Sequence, residues 1–349
     1  MEDMHVRTKV AAVLLATTMA VTLAACGDNA SENADNAQTV APAVAAESPA
    51  TPASPAGVNV PQVAGIAIAQ VGSTTAVLNA DGRSVTLHVQ PGAMDTPPPK
   101  TVSLPVSGLV DLIAADGAFL AVGPDGLIEI APDGAFTIRR DSIDSPLSVA
   151  VKGDQTLVGT AKGTLLVYPA DPHASPRTIG GFVRVDRILV APDTADGVDG
   201  QVSVLDRAQS AILPVDIETG EHKAALRAGN GATNAVVDRF GRIMATGTRD
   251  DEIYAYYGAP IVMRLRRPVS PSPYALAYDE KRDLLWVSST GVNEAVAYDL
   301  SRGDGKERAR IATVGQVSAM TVDPANGGLL LVSARGDGLQ FVPATATTP

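Results

Sequence analysis

The chain predicts an all-β fold, a β-propeller of seven four-stranded antiparallel blades, and three observations carry that expectation. Beyond about Val63 no stretch keeps the apolar period of a helix; short apolar runs are instead cut by DG, NG, PDG and KG turns. One pattern of three apolar runs and two turns recurs as SVAVKGDQTLVGTAKGTLLVY from Ser148, NAVVDRFGRIMATGTRDDEIYAY from Asn234, LAYDEKRDLLWVSSTGVNEAVAYDL from Leu276 and SAMTVDPANGGLLLVSARGDGLQFV from Ser318. A shorter version, DLIAADGAFLAVGPDGLIEI, begins at Asp111. More polar fourth runs follow, such as SPRTIGGF, IVMRLRRPV and ARIATV. Four strands in roughly 35 to 45 residues is the arithmetic of a propeller blade.

Taken in order, residues 1–25 predict an export signal. Arg7 and Lys9 precede an apolar stretch, residues 10–23, that is short for a membrane span, and small residues follow. Glu2 and Asp3 spoil the basic start, which a translation start at Met4 would explain. Leu23, Ala24, Ala25 and Cys26 then resemble the bacterial lipobox, in which the cysteine is lipidated and becomes the mature N-terminus. Cys26 is the one cysteine of the chain, so no disulfide forms within it. An ordinary secretory signal with a chance cysteine is the alternative. Lipidation with palmitate-like chains implies anchoring to the cell membrane at its extracytoplasmic face.

Residues 26–57 are then expected to be a lipidated cysteine and a disordered tether. The stretch is rich in Ala, Pro, Ser and Asn, holds no aromatic residue, and its charges (Asp28, Glu32, Asp35, Glu47) are all acidic. The propeller is expected over residues 58–343, with a disordered tail at 344–349. Its units begin near residues 63, 106, 145, 184, 231, 272 and 316. The last unit ends after three strands, so a strand at 63–69 (VAGIAIA) is expected to supply the fourth and close the ring. One blade cannot bury both faces of its sheet, whereas a blade between two neighbours can. Small residues in the inner runs (Ala150, Ala235, Ala277, Ala319) suit the crowded centre.

On this strand and turn pattern the region from Gly57 to Val342 resembles the seven-bladed propellers of the YVTN and NHL-like class of bacterial envelope proteins. It lacks a Trp-Asp dipeptide, and LWVS at 285–288 stands in place of the YVTN tetrapeptide. The Ala- and Asp-rich composition with the lipobox suggests an actinobacterial lipoprotein. A pair of β-sandwiches is the structural alternative, against which the fourfold count per unit argues.

Composition narrows the chemistry. The net charge of -11 argues against sequence-independent nucleic-acid binding, which needs clustered cations. The exception, Arg264, Arg266 and Arg267, lies in a strand-like run that splits it between two faces. G-x-S-x-G, S-x-x-K and the phosphate-binding loop are absent from the sequence, and its four histidines show no metal-ligand spacing. Asp193, Asp196 and Asp199 with their glycines suit either Ca2+ or, more simply, an extended surface turn.

Propellers place function where strands approach the channel and in the loops of one face. By the resemblance, the connections entering the innermost strands share a face with those between second and third strands. The candidates for rim and channel binding are Asp111, Asp186, Arg187, Asn234, Tyr274, Arg249, Asp251 and Asn293. Ser148, Ser318, Lys162, Asp250, Glu294, Arg335 and Asp337 occupy the same connections. Lactonases of propeller fold hold a channel metal with Glu, Asp and Asn; Asp111, Asp186 and Asn234 could imitate the set, without its Glu. Two readings follow. The first is a monomeric, non-catalytic binding or scaffolding lipoprotein with no cofactor, for an envelope protein or glycan. The alternative is a metal-dependent lactonase or gluconolactonase-like hydrolase.

Overall fold

The protein is described from a computed structural model covering residues 37–50, 54–93, 95–171 and 174–347. The export signal, Leu23, Ala24, Ala25, Cys26, residues 26–36 of the expected tether and the last two residues lie outside the described residues. Seven four-stranded antiparallel sheets form a propeller. Blades one to six occupy residues 65–103, 111–141, 146–179, 187–227, 232–268 and 273–312. Blade seven takes three strands from 317–342 and its outermost from Val58–Val60.

Burial explains why some runs are continuous and others alternate. In blade six the second strand, Leu284–Ser289, is buried at every position, whereas the outer strand, Lys306–Ala312, is mostly exposed. Inner strands have a neighbouring blade on both faces and read as unbroken apolar runs. Outer strands spread apart toward solvent and turn polar.

The core is correspondingly divided, with an apolar cluster at each blade-to-blade interface. Blades one and two meet through Leu78, Leu87, Phe119 and Ile128. Blades six and seven meet through Trp286, Ile311, Met320 and Leu331. The junction of blades seven and one is the thinnest, with only Val77, Leu330, Val332 and Leu339 buried in its cluster. Gly65 permits the close approach there, since a Cβ would meet methyls of Val332 and Val77 at 2.6 Å each. Between blades five and six, Arg242 bridges Asp238 and Asp283 and donates to the Leu300 carbonyl at 2.9 Å.

Closure works as expected but with another strand. The expected closing residues 63–69 lie largely in the innermost strand of blade one, Gly65–Val71. The earlier Val58–Val60 completes blade seven, pairing Val58 with Phe341, Asn59 with Gln340 and Val60 with Leu339. The apolar alternation of VAGIAIA suits a strand buried at the centre, whereas VNV is too short and exposed to signal itself. Buried Gln340 fixes the seam, accepting from Val314 N at 2.9 Å and donating to the carbonyls of Ala56 at 2.8 Å and Ala312 at 3.0 Å. The Asn59 amide donates to the Asp337 carbonyl at 2.8 Å. At the other end, Ala344–Thr347, expected as disordered tail, forms a turn of 3-10 helix whose Ala344 carbonyl accepts from Arg282 at 3.3 Å.

The link from closing strand to blade one is polar. The Gln62 amide donates to Asn79 Oδ1 at 2.8 Å, and its oxygen lies 2.7 Å from His88 Nε2. Because the Gln62 nitrogen is already a donor to Asn79, its oxygen accepts from a neutral His88 that carries its proton on Nε2. Burial holds the His88 pKa down to about 4.

Two predictions follow from the seam. Gly57 has φ +74°, and a Cβ there would lie 2.1 Å from the Phe341 carbonyl oxygen. Gly57→Ala is expected to lower unfolding free energy by about 2 kcal/mol or more, measured by urea denaturation. The second concerns pH. The unfolded chain protonates His88 near its ordinary value, while the folded one stays neutral to about 4, so the unfolded state binds more protons between. Stability from this residue falls as pH drops from about 6.5 to about 4, by about 3 kcal/mol in all. His88→Gln, which keeps a donor, should flatten that part of the profile; an unchanged profile would refute the assignment.

Candidate functional site

The innermost strands enclose a channel that widens into two cavities. One, ≈ 390 Å³, is lined by Asp111, Asp186, Arg187, Asn234 and Tyr274 together with Ser318 and Gln316. A second, ≈ 410 Å³, shares with it Ile68, Leu112 and Arg187, so Arg187 stands at the boundary between them. Five of the eight residues singled out from sequence thus meet around one cavity. Arg249, Asp251 and Asn293 lie outward of it in the loops and do not line it.

Polar groups at the strand entrances tie four of the seven blades to the next. Asp111 of blade two accepts from Val149 N of blade three at 3.1 Å. Ser148 of blade three donates to the Val185 carbonyl, at the entrance to blade four, at 3.0 Å. Asn234 of blade five donates to the Tyr274 carbonyl of blade six at 3.1 Å. Ser318 of blade seven donates to the Gly65 carbonyl of blade one at 2.7 Å. Strands converge here, so a side chain among the first three residues of an innermost strand reaches the neighbouring blade's backbone.

The carboxylates are neutralised. Asp111 is buried, and its other oxygen takes the Leu112 amide at 3.0 Å and Arg187 Nη1 at 3.1 Å. Asp186 pairs with Arg184 at 2.8 Å and accepts from Arg207 N at 2.9 Å. That pairing raises the Arg184 pKa further above its usual value. Asp206, buried behind it, takes the amides of Val183, Arg184 and Gln209, but burial outweighs them and raises its pKa. By contrast, the Tyr274 hydroxyl and the other nitrogens of Arg187 make no hydrogen bond among the described residues.

Asp111, Asp186 and Asn234 are therefore gathered around the cavity, but Asp111 and Asn234 are bonded to the next blade and Asp186 is engaged within blade four and its entrance. Among the described residues no group of three or more His, Cys, Asp or Glu could hold a metal ion. Asp193, Asp196 and Asp199 sit in a surface loop whose Ala195 and Val198 are buried against Val237 and Tyr257. The arginines of blade five's outer strand are spread out: Arg266 pairs with Glu252 at 2.8 Å, and Arg267 lies 5.5 Å over the Tyr298 ring. Asp251 ties blade five to the segment entering blade six, accepting from Ser272 N at 2.7 Å.

The largest departure from expectation lies across the mouth of the cavity. Residues 37–50, expected as free tether, run along the rim from blade four to blade seven. Arg207 donates to the Ala43 carbonyl at 2.6 Å and Arg249 to that of Ala41 at 2.7 Å. Asn293 donates to those of Pro49 and Ala50 at 3.2 and 3.1 Å, and Arg335 to those of Ser48 and Pro49 at 3.1 and 3.0 Å. Val44 and Ala45 thereby become part of the cavity wall. Composition missed this because the segment is ordered by donors on the propeller rather than by apolar surface of its own. Arg207, Gln316, Ser272 and Thr290 escaped notice as site residues. One signal was present: Arg207, Arg249 and Arg335 each follow the second strand of their blade by one or two residues.

No family model and no curated protein matches the chain. Similar solved structures include a streptogramin B lyase (10% identity, TM-score 0.65, covering 82% of this chain and 96% of that one). Others are a Kuenenia stuttgartiensis hydrazine synthase (14%, TM-score 0.64, 83% and 98%) and a catalytically inactive virginiamycin B lyase from Staphylococcus aureus with quinupristin (12%, TM-score 0.62, 81% and 97%). At these identities the likeness establishes the propeller fold alone.

If Asp111 serves the ring, Asp111→Ala should cost about 2 to 3 kcal/mol, because it strands the Val149 amide and leaves Arg187 without its buried partner. Urea unfolding measures this. Equal or greater stability in the variant would instead mark Asp111 as a strained group kept for a ligand.

Proposed function

We propose that the protein is an extracytoplasmic lipoprotein, anchored through Cys26, whose propeller is a non-catalytic binding module for an envelope protein or glycan. The observation that carries the binding reading is the division of labour at the channel. The carboxylates suited to metal or acid-base work, Asp111 and Asp186, are spent on arginines and backbone amides. The groups left for a ligand are the remaining donor nitrogens of Arg187, the Tyr274 hydroxyl, which can donate or accept, and the Asn234 side-chain oxygen. Hydrogen-bonding groups of this kind on a rigid frame recognise carbonyls, hydroxyls and carboxylates. The anchor reading rests on the order of charge, apolar run and small residues before Cys26.

Two measurements test the two halves. Cells fed a palmitate analogue should label the unaltered chain and not the Cys26→Ser variant; labelling of neither would remove the anchor. A photo-crosslinking amino acid at position 162, on the exposed rim of blade three, should trap one discrete partner in intact cells. Turnover of lactones by the purified chain, dependent on added Ca2+ or Zn2+, would replace the binding reading with a hydrolase.

A further inference from the structure

The rim of blades four to seven is a peptide-binding groove, we propose, and residues 37–50 are its occupant in cis; the ligand it takes in trans is a partner segment of the same Ala- and Pro-rich, serine-containing chemistry. This deepens the binding reading by naming the ligand class. If the peptide test below fails, glycan or folded-protein binding still stands and the crosslinking experiment decides it.

The contacts are those of a site that reads main chain. The carbonyls of Ala41, Ala43, Ala46, Ser48, Pro49 and Ala50 all accept from side chains of the rim. On the donor side, Ala46 N meets Ser272 Oγ at 2.8 Å and Ser48 N meets Gln316 Oε1 at 2.9 Å. Val40 N donates to the Ala208 carbonyl at 2.8 Å. Recognition through the backbone of an irregular segment, with prolines reducing the freedom lost, is a recurring mode of peptide capture.

Side-chain selectivity is confined to two positions. Within residues 37–50 only Ala43 and Ser48 are buried, while Val44 is 84% exposed. Ser48 Oγ donates to the Thr290 carbonyl at 2.8 Å and accepts from Gln316 N at 2.7 Å, so the position demands a small hydroxyl. Position 43 admits only a small residue. A tether that needed only to pass across this face would not require matched donors from four blades.

The fit in cis is also incomplete. Asn293 Oδ1 and Arg207 Nε, both under the segment, are buried with no hydrogen-bond partner. Pro49, beside Asn293, has no N–H to offer. A second peptide able to supply one has a contact that the resident segment lacks, so the site is built for exchange.

The test uses the full chain, purified in detergent, and a fluorescent synthetic peptide AQTVAPAVAAESPA, the sequence of residues 37–50. Substituting Ala43→Arg and Ser48→Arg in the chain unseats the resident segment. The tethered segment competes at an effective concentration in the millimolar range, so unseating it should tighten peptide binding by about tenfold or more. Adding Arg335→Ala and Asn293→Ala should reverse the gain. A folded, unseated chain that binds no peptide, or binds it no better than the unaltered chain, overturns the proposal. Hydrogen exchange on the unaltered chain guards against a misfolded variant. Saturating peptide should remove protection from the Ala46 and Ser48 amides and leave the blades unchanged; protection that persists also overturns it.

Discussion

Three residue pairs, Val58 with Phe341, Asn59 with Gln340 and Val60 with Leu339, join the two ends of the propeller, and the remaining structure depends on them. Each of the other blades is continuous in sequence, so its strands meet at small cost in chain entropy. Bringing together ends separated by nearly the whole domain costs on the order of 5 kcal/mol beyond a constant. The apolar cluster at this junction is the smallest of the seven interfaces, so hydrogen bonding takes a larger share. Gln340, Asn59, Gln62, Asn79 and His88 form that polar seam. The strain at Gly57 and the pH response of His88 both belong to it.

Closure also decides where the N-terminal segment goes. Before Val58–Val60, Ala56 N donates to the Ala312 carbonyl at 3.0 Å, so the preceding chain lies against the end of blade six's outer strand, beside blade seven. Residues 37–50 then find donors from blades four to seven. Ordering a residue costs roughly 1 to 2 kcal/mol of backbone entropy, somewhat less for prolines. A net hydrogen bond returns about 1 kcal/mol, and charged donors return more. With only Ala43 and Ser48 buried, the two sides nearly cancel. Such a balance is what an exchangeable segment requires, and it contrasts with the interfaces between blades, which are held by buried apolar surface.

The blades were legible because their information is local. A run such as LLWVSS, a turn and a run such as AVAYD identify a hairpin wherever they occur, and seven copies at a steady spacing leave few other folds. The closing strand was misplaced by a few residues because VNV has no pattern to read, while VAGIAIA has a strong one. Five of the residues singled out by position line one cavity, but their bonding was not legible. Nothing near Asp111 announces Arg187, seventy-six positions away. The rim segment was the least visible of all. Its order comes from carbonyl oxygens that every residue possesses, so composition alone could not separate it from a free linker. Aligning the blades would have exposed the arginines at positions 207, 249 and 335, though not what they hold.

Ring closure through the short outer strand is the central claim, and native-state hydrogen exchange addresses it most directly. Amides of Val58–Val60 and of Leu339–Val342 should be protected to the same free energy as those at the centre of blade six, opening only with the whole domain. Exchange at the rates of an open sheet edge in those two strands, with blade six still protected, would show that the ring is not closed there.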